Sequence, residues 1–467
     1  MKTKHLSLKS QDRRSPKACS KLWKKVEHNA QQQFQRRCQT RDPIAQIRQF
    51  DHALNPTDRS WKHGKMAASA FSFFRGTNYL FWSDLGGDRR LRRFGNNNTR
   101  TWIQGDLHAE NFGAYKNAED HIAYSINDFD ESIVADYQYD LWRMATSLAI
   151  IARDHDMKPK RGAEMIDAFT SAYLDEIVAL VGNDRETKTF FTAENTYGKL
   201  DDFLREVEDE NSREKMLDQW TTKVQRSQRF DLTSETLRAV SEDERSAILA
   251  AFPDYGKTLA GQLHYSKTHF RAIDIARRVN AGTGSLGTPR YYVLIAGRNA
   301  GDRRILDLKR QTKPTAYAHI RQSERHHYDT SFANDAERHA IAYRATTLHT
   351  DDYLGWIDLA DGVYSVRERS PYKATFDTTT LTKPKSLRKL CEQWGKILAT
   401  CHSRADQNYD ADLVPHSFEA EVQAIVQGDT AQFCQLVRDI AISYAEVVFS
   451  DWQAFLASDL CAESQGI

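Results

Sequence analysis

The stretch TWIQGDLHAENFGAYKNAEDHIAYSINDFD, residues 101–130, places two polar loops after two short strand-like runs, TWIQ and IAYSI. Asp106 and Asn111 lie five positions apart in the first loop, and Asp128 follows the second run. Phosphoryl transfer needs such a set: one carboxylate accepts the proton of a hydroxyl, while an amide oxygen and a second carboxylate hold Mg²⁺. The spacing therefore predicts a catalytic loop with Asp106 as the base, followed by a metal loop.

Other interpretations of these two loops stay open. Asp, Asn and Gly are common turn residues, so the same pattern is compatible with two ordinary turns. Asp106, His108 and Glu110 could together hold zinc, although they lack the H-E-x-x-H spacing of helical zinc sites. Asp130 is an extra carboxylate beside Asp128, and either of the two can be the metal ligand.

A glycine-rich turn, GTGSLG, occupies residues 282–287. A dinucleotide-binding loop should open a helix, but this turn leads into a strand, YYVLIAG, at residues 291–297. Kinase phosphate loops join two strands and are followed by a strand that carries a lysine. Lys309, at the end of the run ILDLK, fits that place, with an ordinary surface lysine as the alternative. The predicted nucleotide-binding residues are Gly282, Gly284, Ser285, Gly287 and Lys309.

The two half-sites occur in reversed order, because kinases place the glycine loop first. A circular permutation reconciles the order, since the termini of a compact domain commonly lie close together. It predicts that the helix normally preceding the catalytic loop lies near the C-terminus, where LCEQWGKILATCHSRAD at residues 390–406 is such a helix. VYSVRER, at residues 363–369, would then be the last strand of the small lobe before the hinge.

The same motifs resemble a bacterial family, domain of unknown function 2252, from about Lys65 to Tyr409. The similar segments are AASAFSFFRG, GDLHAENFG, NDFDES, GTGSLGT, LDLK, YSVRER and the DQN of residues 406–408. Its loops are in turn similar to those of protein-kinase-like and aminoglycoside phosphotransferase folds. The resemblance implies that Asp106 is the catalytic base, that Asn111 and Asp128 bind Mg²⁺, that Lys309 binds phosphate, and that Asp140 steadies the catalytic loop.

The chain departs from that pattern at two positions. Gln104 stands where phosphotransferases usually have the histidine of H-G-D. The helical glutamate that should pair with Lys309 has two candidates, Glu324 and Glu337.

The resemblance implies an α+β, protein-kinase-like, two-lobed fold that is circularly permuted, with a small β-rich lobe between helical segments of the large lobe. The expected divisions are a basic N-terminal helical extension at 1–64, a large helical lobe at 65–275, a nucleotide-binding lobe at 276–370, and the hinge with the remaining helices at 371–467. Residues 195–275 are expected to form amphipathic helices. The aromatic run of residues 71–82 is expected in the core; the alternative is that it shapes the acceptor site together with Arg75.

The function predicted from both arguments is a phosphotransferase that uses ATP and Mg²⁺ and an unknown hydroxyl acceptor, a small molecule or a protein. The alternatives are a nucleotide-binding pseudokinase and a kinase-fold nucleotidyl transferase, which would transfer AMP.

Composition limits the other classes of function. Lys and Arg total 65 against 64 Asp and Glu, a net charge of +1 that argues against a nucleic-acid partner. The longest nearly apolar run, residues 144–152, is much shorter than the roughly 20 residues of a membrane span. The basic N-terminus lacks the apolar segment of a secretory signal. The six cysteines, Cys19, Cys38, Cys391, Cys401, Cys434 and Cys461, form no C-x-x-C pair, which predicts reduced thiols in a cytoplasmic protein.

Overall fold

The structure is a computed structural model that describes residues 16–224, 227–260, 268–282, 284, 286–381 and 383–464. Within these residues the helices are α1 (Pro16–Thr40), α2 (Pro43–Phe50), α3 (Pro56–Ala67), α4 (Ala70–Gly76), α5 (Asn78–Leu85), α6 (Gln138–Asp154), α7 (Pro159–Leu180), α8 (Lys199–Glu210), α9 (Arg213–Trp220), α10 (Glu242–Tyr255), α11 (Gln322–Ser331), α12 (Asp335–Thr346), α13 (Pro384–Arg404), α14 (Gln407–Asp410), α15 (Phe418–Val426), α16 (Thr430–Leu456) and α17 (Asp459–Ser464). The strands are β1 (Arg100–Ile103), β2 (Phe112–Lys116), β3 (Ile122–Ile126), β4 (Ile133–Asp136), β5 (Thr221–Val224), β6 (Ser227–Phe230), β7 (Leu237–Ala239), β8 (Ala272–Arg278), β9 (Arg290–Ile295), β10 (Arg304–Arg310), β11 (Gly355–Leu359), β12 (Gly362–Glu368) and β13 (Ala374–Thr375). The protein is thus a mixed α+β protein with several small sheets.

The largest sheet is antiparallel, with strand order β11-β12-β10-β9-β8-β7. Alternation along β10 gives the sheet two different faces, because successive side chains of a strand point to opposite sides. Leu306 and Leu308 pack with Tyr255 of α10 in an apolar core. Asp307 and Lys309 belong to the opposite face. This alternation aims Lys309 away from that core.

The helical core is built around α13 and α7, which lie side by side along much of their length. A Cβ atom at Gly395 would lie 2.2 Å from the carbonyl oxygen of Phe169, so only glycine permits this close approach of α13 to α7. Trp142 and Trp394 are fully buried in the same core. The hairpin of β2 and β3 and the short pair of β1 and β4 lie against this helical core, and their ends carry the two polar loops.

The expectation of continuous helices over residues 195–275 is wrong in part. Helices α8, α9 and α10 are present, but β5 to β8 also fall in this range. Strands β7 and β8 belong to the large sheet, so that sheet begins earlier in the chain than residue 276. By contrast, the predicted strands that correspond to β1, β3, β9, β10 and β12 and the predicted helix that corresponds to α13 are confirmed.

Two further predictions concern the chain as a whole. Among the described residues, no helix combines the length and the apolar character that crossing a membrane requires. Cys38, Cys391, Cys401 and Cys434 are free thiols, as predicted.

Candidate active site

The first polar loop begins where β1 ends, and Asp140 of α6 anchors it. The backbone N–H groups of Gln104 and Gly105 donate to the two carboxylate oxygens of Asp140, at 2.7 and 2.9 Å. Gly105 has a φ of +81°, and a Cβ there would lie 2.1 Å from the carbonyl oxygen of Glu131. Glycine is therefore required for the sharp turn that carries the chain past the second loop.

Asp140 also connects this loop to α13. Nε2 of the His402 imidazole lies 3.3 Å from a carboxylate oxygen of Asp140, and Nδ1 of the same ring lies 2.9 Å from the Tyr173 hydroxyl oxygen. The Thr101 hydroxyl donates to the carbonyl oxygen of His402 at 2.8 Å. A helix from the C-terminal part of the chain thus supports the loop that carries Asp106.

Asp106 is largely buried and is held by an arginine from α6. The Arg143 Nε donates to Asp106 Oδ1 at 2.7 Å. Burial raises the pKa of Asp106 to about 7, and the positive charge of Arg143 opposes that rise. The Asn111 amide donates to the Asp106 carbonyl oxygen at 3.0 Å, which holds the two ends of the loop together. Asp106 therefore titrates near neutrality, as a general base requires.

The second loop contains two carboxylates in different surroundings. Asp130 forms an ion pair with Lys309 and accepts a hydrogen bond from Gln311 at 2.9 Å. Burial raises the pKa of Asp130, but the positive charge of Lys309 and the hydrogen bonds from Lys309 and Gln311 outweigh it and hold the pKa well below its usual range. Within the described part of the chain, the Asp128 carboxylate has no hydrogen-bond or ion-pair partner. The two carboxylates therefore differ: Asp130 is engaged by a lysine, whereas no side chain among the described residues engages the Asp128 carboxylate.

Gln104 joins the two loops. Its side-chain amide donates to the carbonyl oxygen of Asp128, and its side-chain oxygen accepts from the N–H of Asp106 at 2.8 Å. Glutamine can serve both loops at once because it carries a donor and an acceptor. The residue at the position of the usual histidine is therefore a structural bridge between Asp106 and Asp128.

The glycine-rich turn between β8 and β9 reaches the same region. Gly282 accepts a hydrogen bond from Lys65 at 2.7 Å through its carbonyl oxygen, and a Cβ on Gly284 would lie 3.4 Å from the carbonyl oxygen of Arg75. Gly287 has a φ of +84°, which glycine adopts readily. Ser285 lies outside the described residues.

One cavity of about 260 Å³ contains most of the predicted site residues. Those that line it are Asp106, Asn111, Asp128, Asp130, Gly282, Gly284 and Lys309. Neither Asp140 nor Gly287 lines the cavity; Asp140 instead contacts the backbone of the loop that carries Asp106. Segments nearly 180 residues apart in the chain, at Asp130 and Lys309, therefore meet in one site, joined by an ion pair.

Neither candidate glutamate pairs with Lys309. Glu324 lies 3.6 Å from Arg100, and Glu337 accepts from the N–H of Ala333 at the start of α12. The helix that faces Lys309 and Asp130 is α12, and it presents His339, 3.7 Å from an Asp130 oxygen. Burial lowers the pKa of His339 to about 3, so it is neutral at physiological pH.

The three residues of the zinc alternative are not grouped around a common point. Glu110 pairs with Arg75 and Asp106 pairs with Arg143, so both carboxylates already have arginine partners. In the part of the chain that the structure describes, no group of three or more His, Cys, Asp or Glu side chains could hold a metal ion.

Two buried arginines at this site were not predicted from the sequence. Arg143 holds Asp106, and Arg338 of α12 donates to the carbonyl oxygens of Phe129 and Ser132 at 2.8 and 3.0 Å. The available signal was a charged side chain inside an otherwise apolar helical run, as in the DLWRMA segment around Arg143. A buried arginine needs several acceptors, so such a residue indicates a site where backbone carbonyls or carboxylates converge.

Taken together, the fold and the site define a mixed α+β protein with a polar cavity between an antiparallel sheet and a loop carried by a helical core. The chain belongs to the bacterial family described as "Uncharacterized protein conserved in bacteria", domain of unknown function 2252, whose model matches residues 55–458. No curated protein and no solved structure is significantly similar to the chain.

Proposed function

We propose that the protein is a phosphotransferase that moves the γ-phosphoryl group of ATP to a hydroxyl group, with Mg²⁺. The observation that carries the proposal is the shared cavity: Asp106, Asp128 and Lys309 line it together, although they come from distant parts of the chain. Each supplies a group that phosphoryl transfer requires, namely a base, a metal ligand and a phosphate-binding cation.

The order of elements supports a circularly permuted kinase-like fold. The glycine-rich turn joins β8 and β9, Lys309 is the last residue but one of β10, and α11 and α12 separate β10 from β11. After β12 the chain continues into α13, which contacts β1 just before the catalytic loop. If α13 were joined to β1 in sequence, the order would be that of an ordinary kinase: small lobe, helix, catalytic loop, metal loop.

The chain's own residues account for the expected steps. Asp106 accepts the proton of the attacking hydroxyl while the new oxygen–phosphorus bond forms and the bond from the γ-phosphorus to the bridging oxygen breaks, releasing ADP. Lys309 neutralises phosphate charge once it leaves Asp130. Asp128 and Asn111 offer the hard oxygen ligands that Mg²⁺ prefers, and bound Mg²⁺ would supply positive charge at the phosphates. Arg143 and Gln104 fix Asp106 in position.

The proposal is tested by calorimetric titration of the full-length protein with ATP, with and without Mg²⁺. We expect Mg²⁺-dependent binding, and we expect Asp128→Asn to weaken it by roughly tenfold or more, because a charged ligand is lost. Asp120→Asn is the matched control, since Asp120 is an exposed aspartate in the turn between β2 and β3. Absence of ATP binding in the unaltered protein would refute the proposal.

The second candidate is a nucleotide-binding protein that transfers no phosphate. The observation that favours it is the partner of Lys309, which is Asp130 instead of a glutamate on α12. Mg²⁺-dependent ADP release that Asp106→Asn abolishes would exclude it. Mass spectrometry of the product separates phosphoryl transfer from nucleotidyl transfer, because the added mass is that of phosphate in one case and of AMP in the other.

A further inference from the structure

Four polar residues that line the cavity each have one buried side-chain atom without a hydrogen-bond partner among the described residues. They form the polar pocket, which consists of Arg75, Asn78, Tyr79 and His108. Tyr79 is 8% exposed, Asn78 7% and His108 3%. Among the described residues, no hydrogen-bond partner exists for Arg75 Nε, Asn78 Oδ1, the Tyr79 hydroxyl or His108 Nδ1. Buried polar atoms without partners are costly, so four of them at one cavity indicate that a ligand supplies their hydrogen bonds.

The polar pocket is fixed to the loop that carries Asp106. The Asn78 amide donates to the carbonyl oxygen of Gly105 at 3.3 Å, and the Trp82 indole donates to the same oxygen at 2.9 Å. Helix α5 is therefore anchored one residue before Asp106. A ligand held by Asn78 and Tyr79 would lie beside the proposed base.

An aromatic ring lies beside the polar pocket. Phe50 stacks on Tyr79 with ring centroids 3.9 Å apart and an angle of 17° between the ring planes. Phe50 is 52% exposed and also lines the cavity. An exposed aromatic face of this kind offers apolar contact to the C–H groups of a ligand.

The charged groups near the polar pocket are already paired with one another. The pairs are Arg75 with Glu110, Lys62 with Asp51 and Arg143 with Asp106. The partnerless atoms of Asn78, Tyr79 and His108 belong to neutral groups that can form hydrogen bonds. Burial lowers the pKa of His108 well below its usual range, which keeps the imidazole neutral. The polar pocket is therefore suited to a ligand without net charge.

We propose that the acceptor is a neutral polyhydroxylated small molecule, a free sugar or a cyclitol, held in the polar pocket beside Asp106. This inference rests on the proposed function and names its substrate class. A hydroxyl both donates and accepts hydrogen bonds, which matches the mixture of acceptor, donor and neutral imidazole in the pocket. One hydroxyl of the ligand would give its proton to Asp106 as its oxygen forms the bond to the γ-phosphorus, and ADP would leave.

The test is a calorimetric titration of the full-length protein with D-glucose, D-ribose and myo-inositol, and with the cationic aminoglycoside kanamycin. We expect saturable binding of at least one neutral probe. Tyr79→Phe should weaken that binding by about three- to tenfold, because a single neutral hydrogen bond is lost while the stacked ring is kept. Tyr197→Phe is the control, since that hydroxyl lies at the surface away from the cavity.

A second variant, Phe50→Ala, changes an exposed side chain and should also weaken sugar binding without unfolding the protein. The acceptor inference is overturned if no neutral probe binds, if kanamycin binds more tightly, or if Tyr79→Phe and Tyr197→Phe behave alike. Titration of the same sample with Mg²⁺ and ATP separates the two proposals. Nucleotide binding without sugar binding contradicts only the proposed class of acceptor. The absence of nucleotide binding contradicts the proposed function, on which the acceptor inference rests.

Discussion

Two opposing effects act on the pKa of Asp106. Burial favours its neutral form and raises its pKa to about 7, while the guanidinium of Arg143 favours the carboxylate. The balance leaves a carboxylate that changes its charge near neutral pH. Such a group can accept a proton from a hydroxyl and still be regenerated.

The first prediction concerns the pH dependence of the reaction. With water as the acceptor, we expect the rate of ADP release to fall as the pH drops below about 7, because protonated Asp106 cannot act as a base. Asp106→Asn should lower the rate by about a hundredfold or more. The measurement is ADP release from about pH 5 to about pH 9, and a rate that stays constant across this range would contradict the assignment.

The second prediction concerns Arg143. Replacement by glutamine removes the charge that lowers the pKa of Asp106, so the acidic limb of the profile should move to higher pH. Arg153→Gln is the matched control, because Arg153 lies on the same helix and pairs with Glu446 at the surface. An unchanged limb in Arg143→Gln would show that Asp106 does not control the rate.

At the scale of elements, α12 holds the second loop in place. Arg338 is fully buried and donates to three backbone carbonyl oxygens, those of Phe129, Ser132 and Thr312. Two of them flank Asp130, and the third follows the strand that carries Lys309. One side chain therefore connects the helix to both segments that meet at the ion pair.

The third prediction follows from that connection. Arg338→Met should lower the free energy of unfolding by about 2–4 kcal/mol, because three buried carbonyl groups lose their donor. Arg388→Met, on the exposed face of α13, should change it by less than about 0.5 kcal/mol. Chemical denaturation of both variants measures the difference, and equal stabilities would contradict the anchoring role of Arg338.

The elements that could be predicted from sequence are those with a clear apolar period. Strand β10 alternates, and α13 carries a continuous apolar stripe, so local residues decide both. Strands β7 and β8 were not predicted, because their segment is charged and their pairings, β7 with β8 and β8 with β9, join residues that are far apart in the chain. Tertiary pairing, which no local window contains, determines those strands.

The same distinction applies to the site. The two polar loops of the cavity could be located because Asp106, Asn111 and Asp128 follow short strands at a recognisable spacing. The partner of Lys309 could not, since Asp130 lies 179 positions away and local sequence carries no record of that contact. Arg143 was missed for a related reason, because its target is defined only after α6 packs against the loop.

At the scale of the whole molecule, the described C-terminal part of the chain supports the site, but none of its residues lines the cavity. Most side chains of α13 are buried, and its His402 reaches Asp140, which holds the catalytic loop. All the proposed nucleotide and metal residues nevertheless precede β12 in sequence. The helix that supports the site, α13, and the residues that line its cavity therefore come from different parts of the chain.

The fourth prediction tests this dependence. A chain that ends at Thr380 keeps every proposed site residue but lacks α13 and the helices after it, so we expect no cooperative thermal unfolding transition. A chain that ends at Ser458 lacks only α17 and should keep one. Circular dichroism during heating measures both, and a cooperative transition in the shorter chain would contradict the role given to α13.

The ion pair between Lys309 and Asp130 affects the order in which a divalent cation and a nucleotide can bind in the cavity. A phosphate that is to contact Lys309 has to compete with a carboxylate that already holds the ammonium group. A divalent cation beside Asp130 would weaken that hold by giving the carboxylate another attraction. We therefore expect the protein to bind metal-free ATP more weakly than ATP with Mg²⁺. Without the metal, Lys309 is paired with Asp130 in most molecules, and the apparent affinity is reduced by the fraction of molecules in which the lysine is released.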